Sequence, residues 1–239
     1  MNRVAIITGA SRGLGFEFAH QLLQRNYHVA ICSSNQDNID EAYDTLTRSH
    51  HNSTILHTAT DMTNPEAVKA LFNQVQQRFS RLDLCINNVG YLKTSDFLNT
   101  DLKLWKTTLD LNLTSCYLAS HEAFHLMKDQ PGIKHILNIS SLSGIRFVQK
   151  FKGMSAYIAS KHAVVGLTES LAVEGHEYNI RVNCLAPGSI KTRMFEDNFP
   201  DYTAASTAEK VALTGLKLCD DYCETAMTGC TMEFVSDTL

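Results

Sequence analysis

The chain has 239 residues, 44% of them hydrophobic and 19% charged, which is enough apolar material for one large core and shows no sign of disorder. A formal charge of −4 supplies no basic stripe, which argues against a nucleic-acid partner. No apolar run reaches the roughly 20 residues of a membrane span, and an odd number of scattered cysteines suits a reducing compartment, so a cytoplasmic protein without membrane contact is expected.

Residues 3–8 form a continuous apolar run that reads as a first strand covered on both faces. It leads directly into Thr8-Gly9-Ala10-Ser11-Arg12-Gly13-Leu14-Gly15, which opens a helix marked by Leu14, Phe18 and Leu22 at four-residue steps. Glycines here permit a tight turn and close backbone approach to a pyrophosphate, and the helix N-terminus offers free N–H groups to that anion. A plain strand-to-helix turn is the other reading, but strand, glycines and helix stand in the order that phosphate binding needs. A second strand, 28–33, ends in Ser33-Ser34-Asn35 with no carboxylate before Asp37. The third, 54–59, precedes Asp61-Met62 and then Asn64-Pro65, a cap and first-turn proline opening a helix through Ala67, Leu71, Val75 and Phe79. The fourth, 82–87, runs into Asn88-Val89-Gly90, followed by one long helix over 101–128. The fifth, 134–140, precedes Ser141 and a helix over 154–178 that carries Tyr157-Ile158-Ala159-Ser160-Lys161. The sixth, 180–186, leads to Pro187-Gly188, Ile190 and Thr192, and residues 231–235 form the last strand. This alternation predicts a single α/β domain over 1–239: a Rossmann-type doubly wound, mostly parallel seven-stranded sheet with helices on both faces.

The glycine spacing, Asn88-Val89-Gly90, Asn112 in Leu109-Asp110-Leu111-Asn112-Leu113, Ser140 to Gly144, Tyr157-x-x-x-Lys161 and Pro187-Gly188 occur in order along the chain. Together they resemble the short-chain dehydrogenase/reductase family, with Val89 where the family usually has Ala. The resemblance implies a dinucleotide held by Gly9, Ser11, Arg12, Gly13, Leu14 and Gly15, and by Ser33 and Ser34. Asp61 and Met62 would lie at the adenine, and Asn88, Val89 and Gly90 along the crevice. Pro187, Gly188, Ile190 and Thr192 would place the nicotinamide, and Tyr157 and Lys161 its ribose. The resemblance further implies a catalytic set of Asn112, Ser141, Tyr157 and Lys161.

Carbonyl reduction needs a hydride on carbon and a proton on oxygen. Tyr157 and Lys161 lie four residues apart on one helix face, so an ammonium there should stabilise phenolate and lower the tyrosine pKa. A Tyr-x-x-x-Lys pair alone is also what an ordinary amphipathic helix contains. By resemblance Ser141, three residues before Gly144, donates to the substrate oxygen, while Asn112 holds a water that links Lys161 to solvent. Lack of an acid after the second strand, with Arg12 in the glycine loop, points to NADP(H) over NAD(H). No arginine follows the second strand, as many NADP(H)-preferring relatives have.

The expected activity is NADPH-dependent reduction of a ketone or aldehyde to an alcohol. The nearest subclass in appearance is 3-oxoacyl-carrier-protein reductase, which makes an acyl thioester a further candidate substrate. That subclass's two basic docking positions fall near Gly132 and Tyr178, neither basic. A rival of another class is a non-catalytic NADP(H) sensor, which would not need the proton-handling set. Residues 194–206, with Met194, Phe195, Phe199 and Tyr202, should form a short apolar lid. The loop 145–153, with Arg146, Lys150 and Lys152, reads as a cationic mouth or as a solvated loop. His121-Glu122-x-x-His125 spells a zinc-protease pattern without a third ligand, and Cys219 and Cys223 lack a partner pair, so no metal is expected. Members of the family pair through the two long helices, implying a homodimer or homotetramer. Residues 236–239 replace the glycine pair common after the last strand.

Overall fold

The computed structural model of the chain describes residues 2–50, 54–219 and 227–235. Strands β1 (Val4–Thr8), β2 (His28–Ser33), β3 (Ile55–Ala59), β4 (Leu84–Asn87), β5 (Lys134–Ile139), β6 (Ile180–Pro187) and β7 (Thr231–Phe234) form one sheet, ordered β3-β2-β1-β4-β5-β6-β7. Every neighbouring pair is parallel, so the sheet is wholly rather than mostly so. Strand order reverses between β1 and β4, which opens a crevice above their C-terminal ends.

The helices are α1 (Gly13–Gln24), α2 (Gln36–Ser49), α3 (Pro65–Phe79), α4 (Leu102–Leu109), α5 (Ser115–Met127), α6 (Ser155–Gly175), α7 (Arg193–Asn198) and α8 (Ala208–Leu216). Because side chains alternate along a strand, each strand feeds two cores. Ala5, Ile7, Ile31 and Leu185 pack with Phe18 of α1, Leu46 of α2 and Leu216 of α8. Val4, Ile6, Ile136 and Val182 pack on the other face with Phe72 of α3, Ala123 of α5 and Ala172 of α6. The continuous apolar runs of the sequence are thus strands covered twice. Among the described residues no helix is long and apolar enough to cross a membrane.

The helix expected over 101–128 runs without a gap from 102 to 127 but is not regular throughout. Between α4 and α5 lies a single π turn, Asp110–Thr114, with Asn112 buried inside it. Hydrophobic periodicity does not register one inserted residue, and such bulges mark places where a side chain is re-aimed. The second long helix is α6 followed by a 3-10 turn at His176–Tyr178.

A buried polar ladder fixes α5 and α6 on the sheet. Asn87 Nδ2 of β4 donates to Ser120 Oγ of α5 and to Asn138 Oδ1 of β5, both at 2.8 Å. Asn138 Nδ2 donates in turn to Thr168 Oγ1 of α6 at 2.9 Å. Replacing Asn138 with Ala removes the side chain that joins the Asn87 amide to Thr168, leaving Asn87 Nδ2 with Ser120 alone and Thr168 with only its bond to Val164 O in a dry interior. We expect Asn138→Ala to lose about 2–4 kcal/mol of stability, read from urea unfolding.

Candidate active site

The loop after β1 is shaped for close approach. Gly9 has φ 64°, where a side chain is strained. A Cβ on Gly15 would collide with Gly9 O and Asn88 Nδ2 and lie 2.9 Å from Ala10 Cα. The loop is braced from β4: Asn88 Nδ2 donates to Thr8 O (3.1 Å) and Gly9 O (2.9 Å), and Asn88 N donates to Thr8 Oγ1 (3.0 Å). The Asn88 amide therefore holds the loop instead of facing a ligand. Helices α2, α3, α7 and α8 are closed by the side chains of Asn35, Asn64, Thr192 and Thr207, whereas no side chain caps α1. Its first N–H groups are left for an anion, and a pyrophosphate fits this cradle. Ser11 is half-buried beside it and Arg12 is exposed, while the Leu14 and Met62 side chains belong to the two cores and offer only main chain.

At the neighbouring edge, Ser33 Oγ donates to Asn35 O at 2.9 Å and Ser34 is exposed. The first carboxylate after β2, Asp37, sits in the first turn of α2. Asp61 Oδ1 accepts from Thr63 N (2.9 Å) and Thr63 Oγ1 (2.7 Å), which orients the carboxylate at the end of β3.

Tyr157 and Lys161 share the first turns of α6. Ser141 stands beside Tyr157, close enough to act on its hydroxyl, and Ser141 Oγ accepts from Ser143 N at 3.1 Å. Its neighbour Ser140 is turned away, donating to Lys161 O at 2.8 Å, which separates the two serines by geometry. Lys161 Nζ lies 5.7 Å from the Tyr157 ring centroid and donates to Ile139 O at 2.9 Å. Burial pushes Lys161 down to about 8. Burial also pushes Tyr157 up, with neighbouring Ser141 opposing it. The expectation that Lys161 lowers the tyrosine pKa is thus corrected for the protein's own groups. The ammonium is pinned to a carbonyl and is itself desolvated, so the raising effect of burial wins.

Asn112 is buried, with Oδ1 accepting from Tyr91 N at 2.6 Å. Its Nδ2 donates to Tyr91 O (3.0 Å) and Ser160 Oγ (2.9 Å), so both amide protons are engaged, and the main chain and one lone pair of Oδ1 are left to hold a water. Ser160 Oγ donates to Tyr157 O at 2.7 Å. Val89 N approaches Thr8 Oγ1 at 3.3 Å, and a Cβ on Gly90 would stand 3.8 Å from Lys161 Nζ and 3.7 Å from Met194 Cε. Pro187 ends β6, and Gly188 N donates to Phe234 O at 3.0 Å. Ile190 bridges to Ser206, and Thr192 lies over the glycine loop, its Cγ2 3.4 Å from a Cβ placed on Gly13.

The mouth loop spends most of its charge internally. Lys150 Nζ donates to Ser143 O (2.8 Å) and Ile145 O (2.5 Å), and Lys152 pairs with Asp96 at 3.2 Å. Arg146 lies over its neighbour Phe147. His121 and His125 are exposed on α5 with ring centroids 4.6 Å apart, and Glu122 contacts His121. Among the described residues no three His, Cys, Asp or Glu side chains are grouped to hold a metal, and Cys223 and residues 236–239 lie outside the described residues.

Thr8, Tyr91, Ser160 and Asn198 escaped the sequence reading although each holds a site element. Only Thr8 and Ser160 carried a signal, as members of the glycine and Tyr-x-x-x-Lys motifs.

A model of the short chain dehydrogenase family matches residues 3–203. The chain is 36% identical over 193 residues to a 3alpha-hydroxysteroid dehydrogenase of Mediterraneibacter gnavus, covering 81% of this chain and 76% of that one. It is 34% identical over 197 residues to trans-4-hydroxycyclohexanecarboxylate dehydrogenase of Sinomonas cyclohexanicum, covering 80% and 74%. Its fold matches the crystal structure of a short-chain type dehydrogenase/reductase from Mycobacterium marinum with TM-score 0.90 and 27% identity, over 97% of this chain and 93% of that one.

Because a methyl at Gly15 meets backbone on one side and the bracing amide on the other, the loop has to move to admit it. Gly15→Ala should weaken binding of a reduced nicotinamide dinucleotide at least tenfold, on the order of 1.4 kcal/mol, in a fluorescence titration.

Proposed function

The chain belongs to the short-chain dehydrogenase family, and from that premise we propose that it interconverts a ketone or aldehyde and the corresponding alcohol with NADP(H). As a family member it is an oxidoreductase that uses a nicotinamide dinucleotide. The observation that carries the finer reading is the placing of Tyr157 beside Ser141 and 5.7 Å, ring centroid to Nζ, from buried Lys161.

The glycine loop, Asp61 and the segment from Pro187 to Thr192 would hold the nicotinamide dinucleotide, which when bound would supply or accept the hydride at the substrate carbon. Tyr157 Oη gives its proton to the substrate oxygen as that oxygen gains charge. Ser141 Oγ donates to the same oxygen, which lowers the cost of the developing negative charge. Lys161 keeps a positive charge near the phenolate left behind. Burial of Tyr157 favours its protonated form, which suits the reducing direction.

NADP(H) is favoured by the absence of a carboxylate between Ser33 and Asp37 and by exposed Arg12. A carbocyclic ketone is favoured by the half-buried Phe195 and Phe199, whose tilted rings lie 5.4 Å apart with Tyr202 edge-on to Phe199. Both similar enzymes named above act, by their names, on a hydroxyl borne by a carbocycle. The reading includes a homodimer or homotetramer, supported by exposed Tyr117 on α5 and Val173 on α6.

Tyr157→Phe should cut carbonyl-dependent NADPH oxidation by about 10²–10⁴-fold while leaving NADPH affinity nearly intact; undiminished turnover would sink the assignment. In paired titrations NADPH should bind at least about tenfold more tightly than NADH, and the reverse order overturns the cofactor preference. Reduction should also depend on pH. Lys161 is cationic below about 8 and neutral above it, so kcat/KM for reduction should be level through neutrality and fall above about pH 8. In Lys161→Met the residual rate should lack that inflection.

A further inference from the structure

We propose that Asn198 is the latch that holds the lid closed over the site, a positioning residue whose loss opens the crevice without disturbing the cofactor cradle. The inference rests on the oxidoreductase reading for its kinetic consequences, but its geometry stands apart from it. Segment 189–206 is pinned to itself at both ends: Lys191 N donates to Ser206 O at 2.8 Å and Ala205 N to Ser189 Oγ at 2.9 Å. Between those ends α7 crosses the crevice, with Met194 Cε near Gly90 beside the Lys161 ammonium.

Among the described residues, Asn198 is the lid side chain that hydrogen bonds to the body across the crevice. Its Nδ2 donates to Leu92 O at 3.1 Å and to Met194 O at 2.9 Å, and its Oδ1 accepts from Thr94 N at 3.2 Å. One amide thus satisfies a carbonyl and an N–H of the segment leaving β4 in the way a neighbouring strand would. That segment is gripped one residue earlier by Asn112, which holds both the N–H and the carbonyl of Tyr91. Asn112 donates to Ser160, and Ser160 donates to the carbonyl of Tyr157. A continuous run of hydrogen bonds therefore joins the lid to the helix that bears the phenol. The lid's other approaches to the body are apolar: the Phe151 and Phe199 centroids lie 6.3 Å apart, and Met194 reaches toward Gly90. With no other side-chain hydrogen bond of the lid to the body among the described residues, the lid opens as a flap about the pinned ends, and Thr192 beside Gly13 stays in place.

The experiment compares wild type with Asn198→Ala and Asn198→Asp by hydrogen exchange and by steady-state kinetics with a screened carbocyclic ketone. In Asn198→Ala, exchange at Thr94 N–H and across residues 193–199 should quicken about tenfold, because two backbone partners lose their bonds. KM for the ketone should rise about tenfold, with kcat unchanged or higher and NADPH affinity within about twofold. Asn198→Asp keeps the acceptor for Thr94 N–H but loses the donor to Leu92 O, so its exchange should fall between the two and supports the latch even if the alanine variant folds poorly. Unchanged exchange in both variants overturns the latch, as does a loss of NADPH affinity that parallels the rise in KM. If the wild type oxidises NADPH with no carbonyl, the functional reading fails and the exchange result alone decides the latch.

Discussion

The site depends on how the end of β5 grips Lys161 from two sides. Ser140 Oγ donates to the lysine's carbonyl oxygen, and the lysine's ammonium donates to Ile139 O. Consecutive residues of one strand thereby fix the second turn of α6 in position and rotation. With that turn fixed, the first turn brings Tyr157 against Ser141, the next residue along the same strand end. The rest of the architecture delivers these pieces: the strand reversal makes the crevice, and the Asn87–Asn138–Thr168 ladder seats α6 on the sheet. A helix sliding by one residue would lose the buried bonds of both gripping partners at once, so the arrangement resists small shifts.

A recurring device is the asparagine amide placed between two backbone segments. Asn88 binds the glycine loop, Asn112 the start of the segment after β4, and Asn198 the same segment from the lid. An amide offers two donors and an acceptor on a short, stiff stem, so it can pair with a peptide group without requiring a continuous strand. Each of these segments leaves the sheet just where ladder hydrogen bonds run out. Side-chain amides replace them there, which keeps irregular backbone in fixed positions around the crevice.

What the sequence makes legible follows from which physical terms are local. Doubly covered strands produce continuous apolar runs, and a loop that must approach an anion needs glycine, so β1 to β7 and the Gly9–Gly15 turn can be read directly. The π turn around Asn112 cannot, because one extra residue leaves hydrophobic spacing almost unchanged. Nor can the commitment of the Asn88 and Asn112 side chains to backbone, since their partners lie 21 to 80 residues away in the chain. The motif correctly puts Tyr157 and Lys161 on one helix face. It does not reveal that burial dominates their electrostatics, because desolvation is set by the whole fold and not by the four-residue spacing.

Among the described residues no carboxylate pairs with Lys161. Besides Tyr157, the titratable groups that act on it are the thiols of Cys116 and Cys184, pushed up to about 12 and about 11, so near neutrality they carry no charge to offset the ammonium. A carboxylate in either place would repay the desolvation and hold Lys161 firmly protonated, but it would also absorb the field that the phenolate needs. Thiols, behaving here as small apolar groups, leave that field directed at Tyr157 and leave Lys161 at about 8, within reach of proton exchange. The fold accepts an uncompensated buried cation at this point because the counter-charge it needs arises only when Tyr157 gives up its proton.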